Sequence, residues 1–349
     1  MNQALQDSVF MKACRGEPTP YTPIWLNRQA GRYMKEYHEV KGQTPSLDFF
    51  KTPDLAAQVT CDAQRILGVD AAILFADLLP ILEPLGFDLD YIAGFGPSIS
   101  NPIRTLEQID AMTAPQAIES MPYIADAIQL IRRELPSNIP LIGFAGAPFT
   151  LASYAIEGQG SKNYTHVKRL MYSHPEAWHQ LMDKIATAVI DYVNVQVTAG
   201  VQAVQLFDSW VGALGVSEYR RFVAPHSLKL IKGIQGAVPI IHFGTGNPAL
   251  VPDMAACGAE VMALDWRSPL IPTWDATGVT AVQGNLDPIA LLAEEGAVLS
   301  EANRILEEVG TRPGHIFNLG HGIIPETPVD HVKALVQYVQ QRSSEIRAD

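Results

Sequence analysis

The chain has 349 residues, 47% of them hydrophobic, and a formal net charge of −12. This length allows one large domain or two ordinary ones, and the acidic balance argues against a nucleic-acid-binding protein, which would show a basic face. An anionic ligand would therefore require a local cluster of basic side chains.

We expect a cytoplasmic protein without a membrane span. The first residues lack the basic start and long apolar run of a targeting signal. The longest uncharged stretch, residues 136–156, contains glycine, proline and hydroxyl residues, which predict a strand and a loop rather than a membrane helix. The cysteines are scattered, at Cys14, Cys61 and Cys257, which indicates a reducing compartment and no disulfide framework.

Eight short apolar segments, many of them β-branched, predict buried β-strands. They are residues 22–26, 71–75, 140–144, 203–207, 238–243, 261–264, 280–282 and 315–318. Amphipathic helical patterns lie between them, which is typical of parallel βα units. Eight such units without an intervening linker predict an α/β fold. We expect one (β/α)8 TIM barrel domain over residues 1–349, with its active site at the C-terminal ends of the strands.

Two arginines follow the first predicted strand. Arg28 and Arg32 are four residues apart, with Gly31 directly before the second. A guanidinium offers a planar fork of donors that matches a carboxylate or phosphate, and we expect Gly31 to permit the turn that aims both forks at one place. A solvated surface pair explains the charges equally well, but not their position directly after a buried strand.

Polar residues recur after the other predicted strands, where the mouth of a barrel would lie. Among them, Asp77 is surrounded in sequence by apolar residues, so its carboxylate needs cationic or N–H partners. For Asp265 and Asp287 we predict helix caps, and for His242 a structural role. The remaining members of this group are Tyr154, Asp208, Ser209, Asn318 and His321.

A rival pattern lies after the fifth predicted strand. Residues 244–249 read Gly-Thr-Gly-Asn-Pro-Ala, and Asp265 follows about twenty residues later, as in a dinucleotide-binding fingerprint. Pro248 and Pro252 fall at the expected helix start, however, and Pro252 is badly placed for a helix. The pattern also lies in the middle of the series of units, so we do not favour a dinucleotide site.

Taken together, the strand-end motifs resemble the uroporphyrinogen decarboxylase family of heme biosynthesis. The resemblance runs from about residue 7 to the C-terminus, with the motifs in family order. They are Asn-Arg-Gln-Ala-Gly-Arg-Tyr at 27–33, Phe-Ala-Asp-Leu at 75–78, Gly-Ala-Pro-Phe-Thr at 146–150 with Tyr154, Phe-Asp-Ser at 207–209, Gln-Gly-Asn-Leu-Asp-Pro at 283–288 and Asn-Leu-Gly-His-Gly at 318–322.

The resemblance implies an enzyme, its partners and its state of assembly. Members of this family are single (β/α)8 barrels, usually homodimers and cytosolic in bacteria, that need no metal or organic cofactor. They remove carbon dioxide from the four acetate side chains of uroporphyrinogen III and leave coproporphyrinogen III. No nucleic-acid or membrane partner is implied.

The resemblance also assigns roles to individual residues. It implies that Arg28 and Arg32 bind substrate carboxylates and that Asp77 faces the pyrrole nitrogens. The stretch between the arginines is implied to bind substrate as well, and the remaining contacts are Gln29, Ala30, Gly31, Tyr154, Ser209 and His321. Lys41 stands about where the family often has another basic residue, and Asn27 stands where many members have methionine.

The chemistry of the substrate agrees with these roles. A bowl of four pyrroles with eight carboxylates needs guanidinium forks and His321 around its rim, and an apolar floor, for which we predict Phe75, Leu78, Phe144 and Phe149. Protonating a pyrrole carbon creates a cationic ring that accepts electrons as carbon dioxide leaves. A buried carboxylate, Asp77, would stabilise that cation. The proton donor stays open between Arg28, His321 and a bound water.

Two alternatives remain open. Zinc-dependent corrinoid or thiol methyltransferases of the same superfamily use a His-x-Cys pair after the fifth strand and a later cysteine. Here that place reads His242-Phe243-Gly244, and no cysteine follows Cys257, so zinc would lack its thiolates. A non-catalytic tetrapyrrole carrier would keep the arginines but has no need of a buried Asp77.

Overall fold

The computed structural model describes residues 3–92 and 94–348, and its centre is a parallel β-sheet. In chain order the strands are β1 (Ala72–Ile73), β2 (Leu89–Ile92), β3 (Gly96–Ile99), β4 (Leu141–Gly146), β5 (Ala203–Asp208), β6 (Ile240–Gly244), β7 (Val261–Ala263), β8 (Ala281–Gln283) and β9 (His315–Ile316). Seven strands pair in the order β1-β4-β5-β6-β7-β8-β9, and every neighbouring pair is parallel. Strands β2 and β3 form a separate antiparallel hairpin.

Helices connect and cover the strands. They are α1 (Gln3–Gln6), α2 (Val9–Cys14), α3 (Lys35–Lys41), α4 (Ser46–Lys51), α5 (Pro53–Leu67), α6 (Leu106–Ala111), α7 (Ala117–Ser120), α8 (Pro122–Glu134), α9 (Pro148–Glu157), α10 (Thr165–Ser173), α11 (Pro175–Ala199), α12 (Val216–Phe222), α13 (Ala224–Gly233), α14 (Val251–Ala255), α15 (Leu270–Thr277), α16 (Glu295–Val309) and α17 (Val329–Ala348). Short 3₁₀ helices span Pro80–Leu82, Val211–Ala213, Pro248–Leu250 and Pro288–Leu292. Within the described part of the chain, no helix has the length and apolarity required to cross a membrane.

Several long helices begin and end at residues with the expected backbone preferences. A proline in the first turn lacks only an N–H that the helix does not use, and a glycine accepts the left-handed conformation that ends a helix. This pairing is found at Pro53 and Gly68 for α5, Pro148 and Gly158 for α9, and Pro175 and Gly200 for α11. The α/β class predicted from alternating strand and helix patterns is confirmed.

The first of the eight predicted strands, residues 22–26, is not a regular strand. Ile24 forms a single parallel bridge with Phe317, and its carbonyl accepts a hydrogen bond from the Asp70 N–H over 2.8 Å. The Trp25 N–H bonds the Phe317 carbonyl (3.4 Å), whereas side chains accept from its two neighbours, since the Ile24 N–H bonds Asp70 Oδ2 (2.9 Å) and the Leu26 N–H bonds Gln29 Oε1 (3.1 Å). The observed sheet therefore has seven strands, with this segment between its two edges.

A chain of buried polar side chains crosses the interior of the sheet. Trp25 Nε1 donates to Gln283 Oε1 (2.9 Å), Gln283 Nε2 to Gln205 Oε1 (3.0 Å), and Gln205 Nε2 to Asn27 Oδ1 (3.0 Å). Buried amides are costly unless they are paired, and here each is paired with the next. These hydrogen bonds fix the end of segment 22–26 to β5 and β8, so they set the position from which the Arg28 loop starts.

The acidic residues predicted as helix caps differ in outcome. Asp287 accepts from the Ile289 N–H at the start of a 3₁₀ helix (2.9 Å), so its cap is confirmed. The prediction for Asp265 is wrong, because Asp265 Oδ2 accepts from Thr245 Oγ1 (2.8 Å) and the Gly246 N–H (2.7 Å). Asp265 thus joins the loops after β6 and β7. Its carboxylate binds the N–H of Gly246, one of the two glycines in the dinucleotide-like pattern.

Candidate active site

The loop after residue 26 places Arg28 in an unusual backbone conformation. Arg28 has φ of +62°, a left-handed conformation that costs a residue with a side chain free energy. We predicted that Gly31 permits a tight turn in this loop, and the structure agrees, since a Cβ added at Gly31 would lie 3.0 Å from the Arg28 carbonyl oxygen. Gly31 therefore allows the loop to fold back closely on Arg28.

Gln29 anchors this loop from inside. Its side chain is buried, and its Nε2 donates to the Ala71 carbonyl (3.1 Å). Its N–H bonds the Leu26 carbonyl (2.9 Å), and its own carbonyl accepts from the Tyr33 hydroxyl (2.7 Å). The structure therefore does not bring the Gln29 side chain together with the other predicted site residues.

The residues on either side of Gln29 present unused backbone donors. Among residues 3–92 and 94–348, no acceptor is bonded to the N–H groups of Arg28, Ala30, Gly31 or Arg32. A run of free N–H groups beside a guanidinium is suited to an anion. This loop is therefore the local basic cluster that the acidic chain requires for an anionic ligand.

Three other predicted site residues lie within electrostatic range of Arg28. The Arg28 side chain lies against Gly322, where an added Cβ would meet Arg28 Cδ and Cγ. The positive charge of Arg28 lowers the pKa values of Asp77, Tyr154 and His321. The structure thus brings together a guanidinium, a carboxylate, a phenol and an imidazole from four separate parts of the chain.

Asp77 follows β1 and is half-buried. Its Oδ1 accepts hydrogen bonds from the Tyr91 hydroxyl (2.5 Å) and from the Leu79 N–H (3.1 Å). Burial raises the pKa of Asp77, while these donors and the charge of Arg28 act to lower it. The cationic and N–H partners that the sequence required of Asp77 are present, and Tyr91 is a further one.

Tyr91 was not identified from the sequence. It lies on β2, in a hairpin outside the repeating βα units, so the rule that chemistry sits at the ends of barrel strands does not select it. No motif around it carries a signal for a site. Only the folded arrangement shows that its hydroxyl reaches Asp77.

Tyr154 and Ser209 lie on two elements, α9 and the end of β5, that buried hydrogen bonds of Thr150 join. Thr150 Oγ1 donates to Asp208 Oδ1 (3.0 Å) and accepts from the Trp210 N–H (3.3 Å), which ties the end of β5 to the first turn of α9. Ser209 is half-buried between them. The Tyr154 ring packs edge-on against Trp210 with centroids 5.7 Å apart, and burial raises the pKa of Tyr154 to about 12.

His321 follows β9 and its ring packs edge-on against Phe243, with centroids 6.2 Å apart. Burial, together with the nearby charge of Arg28, lowers the pKa of His321 to about 4. The imidazole is therefore neutral at pH 7 and acts there as a hydrogen-bond donor and acceptor rather than as a cation.

Arg32 and Lys41 are not joined to this group by hydrogen bonds in the described part of the chain. The Arg32 side chain is exposed, its carbonyl accepts from His38 Nε2 over 2.8 Å, and its charge lowers the pKa of Tyr37. Lys41 Nζ donates to the Thr44 carbonyl (2.6 Å). Both cations lie on the segment that follows the Arg28 loop.

A row of aromatic rings leads to His321, and one residue predicted for the apolar floor, Phe149, lies apart from it. Phe144, Phe207 and Phe243 form a row of edge-on rings, with centroids 5.7 Å apart at both contacts, and the row ends at His321. Phe149, which we predicted to line the floor, is fully buried and packs against Trp178. The prediction is wrong for Phe149 because it lies in the first turn of α9 and faces the neighbouring helix α11.

His242 is fully buried rather than facing the site. Its Nε2 lies 4.0 Å from Asp208 Oδ2, and burial lowers the pKa of His242 to about 4. Among the described residues, no group of three or more His, Cys, Asp and Glu side chains is arranged to hold a metal ion.

Comparison with known proteins identifies the family. A family model described as Uroporphyrinogen decarboxylase (URO-D) matches residues 5–342. Uroporphyrinogen decarboxylase of Carboxydothermus hydrogenoformans is 49% identical over 340 residues, covering 97% of each chain. The enzyme of Chloroflexus aurantiacus is 50% identical over 337 residues, covering 95% of each.

Among solved structures, a methyltransferase from Methanosarcina mazei matches with a TM-score of 0.81 and 21% identity, covering 95% of this chain and 97% of that one. At this identity the likeness shows the fold alone. The family model and the curated relatives extend over nearly the whole sequence, and the chain belongs to the uroporphyrinogen decarboxylase family.

Proposed function

We propose that this chain removes carbon dioxide from the four acetate side chains of uroporphyrinogen III, giving coproporphyrinogen III without a metal or organic cofactor. The observation that carries the proposal is the placement of Asp77, Tyr154 and His321 within electrostatic range of Arg28. A guanidinium suits the carboxylates of this polyanion, and a buried carboxylate suits a ring that becomes cationic during the reaction.

The reaction divides into steps that balance. A proton adds to a pyrrole carbon, and the ring becomes a cation. The bond between the acetate methylene and its carboxylate then breaks, and its electron pair neutralises the ring while carbon dioxide leaves. A proton adds to the methylene carbon and the ring carbon loses its extra proton, so each acetate becomes a methyl group with a net uptake of one proton.

Asp77 is the residue that stabilises the cation. Its Oδ1 is occupied by Tyr91 and Leu79, so Oδ2 is the oxygen that accepts from pyrrole N–H groups. The ionised carboxylate attracts the protonated ring more strongly than the neutral one, so the interaction favours the transition state over the bound substrate. Its fixed hydrogen bonds remove the need to reorganise during the reaction.

The other predicted residues bind the substrate. Arg28 holds a carboxylate with its fork, and the free N–H groups of Ala30, Gly31 and Arg32 bind the same side chain. Tyr154, Ser209 and His321 provide further hydrogen bonds, and the Arg32 side chain meets a carboxylate at the rim. Gln29 contributes by holding the loop. We also propose that Arg28, whose charge acts on Asp77, takes part in the proton transfer.

We further infer the closed form of the fold. Segment 22–26 completes a (β/α)8 barrel as its eighth strand, supported by the Ile24 bridge to Phe317 and the hydrogen bond from Asp70 to Ile24. Residues 1–349 then form one domain with the active site at the C-terminal ends of the strands. By the family resemblance the protein is a cytoplasmic homodimer, with no nucleic-acid or membrane partner.

The decisive experiment is anaerobic incubation of the purified protein with uroporphyrinogen III, followed by separation of products by carboxylate number. We expect stepwise loss of four carboxylates and equal activity after exhaustive chelation. Binding without turnover would favour a tetrapyrrole carrier. Bound zinc whose removal abolishes activity would favour the metal-dependent methyltransferase alternative.

A further inference from the structure

The β2–β3 hairpin lies outside the parallel sheet, yet one of its side chains reaches Asp77. The Tyr91 hydroxyl donates to Asp77 Oδ1 over 2.5 Å, a bond between residues 14 apart in the chain. The Tyr91 ring packs edge-on against Phe50 (5.4 Å between centroids), and Phe50 packs against Phe75 (5.5 Å). Phe75 stands two residues before Asp77, so the phenol and the carboxylate are held by the same cluster of rings.

We propose that Tyr91 is a positioning residue for the reaction, and that its hydroxyl fixes Asp77 Oδ1 so that Oδ2 faces the pyrrole nitrogens of the substrate. This inference rests on the role proposed above for Asp77. A carboxylate on a single χ2 rotor presents either oxygen unless something distinguishes them. Here the two donors on Oδ1, Tyr91 and the Leu79 N–H, make that distinction.

The same hydrogen bond favours the charged form of the carboxylate. Burial raises the pKa of Asp77, and the hydrogen bond from Tyr91 is the largest of the effects that lower it. The pKa of Tyr91 is itself raised well above its ordinary value by burial and by the charge of Asp77. The phenol therefore remains protonated near neutral pH and donates continuously, which suits a positioning donor and not an acid that gives its proton to the substrate.

Three other titratable groups, each on a different element, interact electrostatically with Asp77. Arg28 reaches it from the loop after residue 26 and lowers its pKa. Tyr154 on α9 and Tyr192 on α11 both have pKa values raised by burial and by the charge of Asp77. In the described part of the chain, none of these groups forms a hydrogen bond with the Asp77 carboxylate, so none of them replaces the Tyr91 hydroxyl.

The test is the pH dependence of single-turnover decarboxylation in Tyr91→Phe. Phenylalanine keeps the ring contact with Phe50 and removes the hydroxyl alone. Without that donor the ionised form of Asp77 is less stable, so its pKa rises and the acid limb of the rate profile moves to higher pH. Because a hydrogen bond to a charged group is among the stronger ones, we expect a shift of about one pH unit.

The matched control is Tyr123→Phe. Tyr123 is a half-buried tyrosine on α8 whose hydroxyl forms no hydrogen bond among residues 3–92 and 94–348, so its removal should leave the profile in place. Tyr91→Leu, with the thermal midpoint recorded for each variant, covers the case in which Tyr91→Phe folds poorly. Both Tyr91 variants should move the acid limb in the same direction.

A double-mutant cycle separates positioning from a general structural role. If Tyr91 acts through Asp77, Tyr91→Phe slows the wild type but adds no further loss in an Asp77→Asn background. An unshifted acid limb, or an equal fractional loss in both backgrounds, would overturn the inference. If Asp77→Asn itself retains full turnover, it is the proposed role of Asp77 that fails, and the two failures are thereby distinguished.

Discussion

Asp77 is the residue on which the proposed chemistry depends, because it combines burial with a carboxylate that accepts hydrogen bonds from two donors. A charge removed from water is costly unless fixed dipoles replace the water. Here the Tyr91 hydroxyl, the Leu79 N–H and the charge of Arg28 supply that replacement. The arrangement is thus prepared for a cation that exists only while the reaction proceeds.

Asp77→Asn separates an enzyme from a carrier. Asparagine is nearly isosteric and keeps one acceptor oxygen, but it lacks the negative charge that a protonated pyrrole requires. We expect the variant to fold and to retain much of its affinity for coproporphyrinogen, while turnover falls on the order of 10²–10³-fold. Single-turnover decarboxylation measured beside product binding tests this expectation. A wild-type rate would show that the carboxylate does not stabilise the cation.

Arg28 differs from Arg32 in how strongly the surrounding structure fixes its position. Its backbone adopts a left-handed conformation and its side chain lies against Gly322, whereas the Arg32 side chain is exposed. Strain in the backbone of a loop that also presents free N–H groups is typical of a binding site. We therefore expect Arg28 to matter more for turnover than Arg32.

Arg28→Ala should lower kcat/KM by roughly tenfold or more, since it removes a charge-assisted hydrogen bond. Arg28→Lys should restore only part of the loss because lysine lacks the planar fork. Steady-state kinetics of both variants test this, with Arg65→Ala as control. Arg65 is an exposed arginine paired with Asp62 on α5, and exposed pairs contribute little. Unchanged kinetics in Arg28→Ala would make Arg28 a surface charge.

The loop after β9 contains two glycines, Gly320 and Gly322, whose lack of a side chain leaves room for neighbouring residues. Gly322 leaves room for Arg28 Cγ and Cδ, and Gly320 leaves room for the backbone of Trp266. Because both glycines have neighbours where a Cβ would stand, the Asn-Leu-Gly-His-Gly stretch packs between the Arg28 loop and the loop after β7. His321 is thereby brought beside Arg28.

Gly322→Ala should displace Arg28 and reduce kcat/KM several-fold with little change in thermal midpoint. The same substitution in an Arg28→Ala background should have almost no further effect, because the displaced side chain is gone. Gly296→Ala is the matched control, since nothing lies within 4 Å of a Cβ added there and alanine is favoured in the first turn of α16. A loss of the same size in both backgrounds would contradict the contact with Arg28.

The sequence predicted the sheet strands well and the closing segment poorly, for a physical reason. Buried parallel strands read as continuous apolar runs, and 71–75, 203–207 and 261–264 contain β1, most of β5 and β7. Segment 22–26 reads the same way, but the N–H groups of Ile24 and Leu26 are taken by the side chains of Asp70 and Gln29. Side-chain acceptors from distant positions cannot be read from a local apolar pattern.

The site itself remains a prediction, although the structure places Asp77, Tyr154 and His321 within electrostatic range of Arg28. Tyr91 was missed because its hairpin is an insertion with no place in the βα repeat. The sequence also gives only the spacing of Gln29 and Arg32. That the Gln29 side chain is buried and the Arg32 side chain is exposed depends on the conformation of the loop.

Over the molecule as a whole, buried titratable groups outside the site make the stability of the fold depend on pH. The pKa values of His226, His242 and His315 are each lowered by burial to about 4. Burial acts oppositely on Asp208, whose pKa it raises to about 7. Asp208 is fully buried and lies against His242, so two neighbouring groups both favour their neutral forms.

These shifts set the direction in which stability changes with pH. Between the ordinary histidine value of about 6.5 and the folded value of about 4, the unfolded chain binds protons that the folded chain does not. Each of the three histidines therefore reduces the free energy of unfolding as pH falls through this window. Asp208 has the opposite sign, because the folded chain holds its proton up to about pH 7. With His321 included, four histidines have a lowered pKa, and they outnumber the three aspartates whose pKa is raised, Asp70, Asp77 and Asp208, so acid destabilises the protein.

We therefore expect the free energy of unfolding, measured with urea at intervals from pH 7.5 to pH 4.5, to decrease steadily below pH 6.5. His242→Gln should flatten this dependence, because one titrating group contributes up to about 1.4 kcal/mol per pH unit. His166→Gln is the control, since His166 is exposed and its loss should leave the slope unchanged. A stability that rises on acidification would mean that Asp208 dominates, and that the buried histidines are already charged in the folded protein.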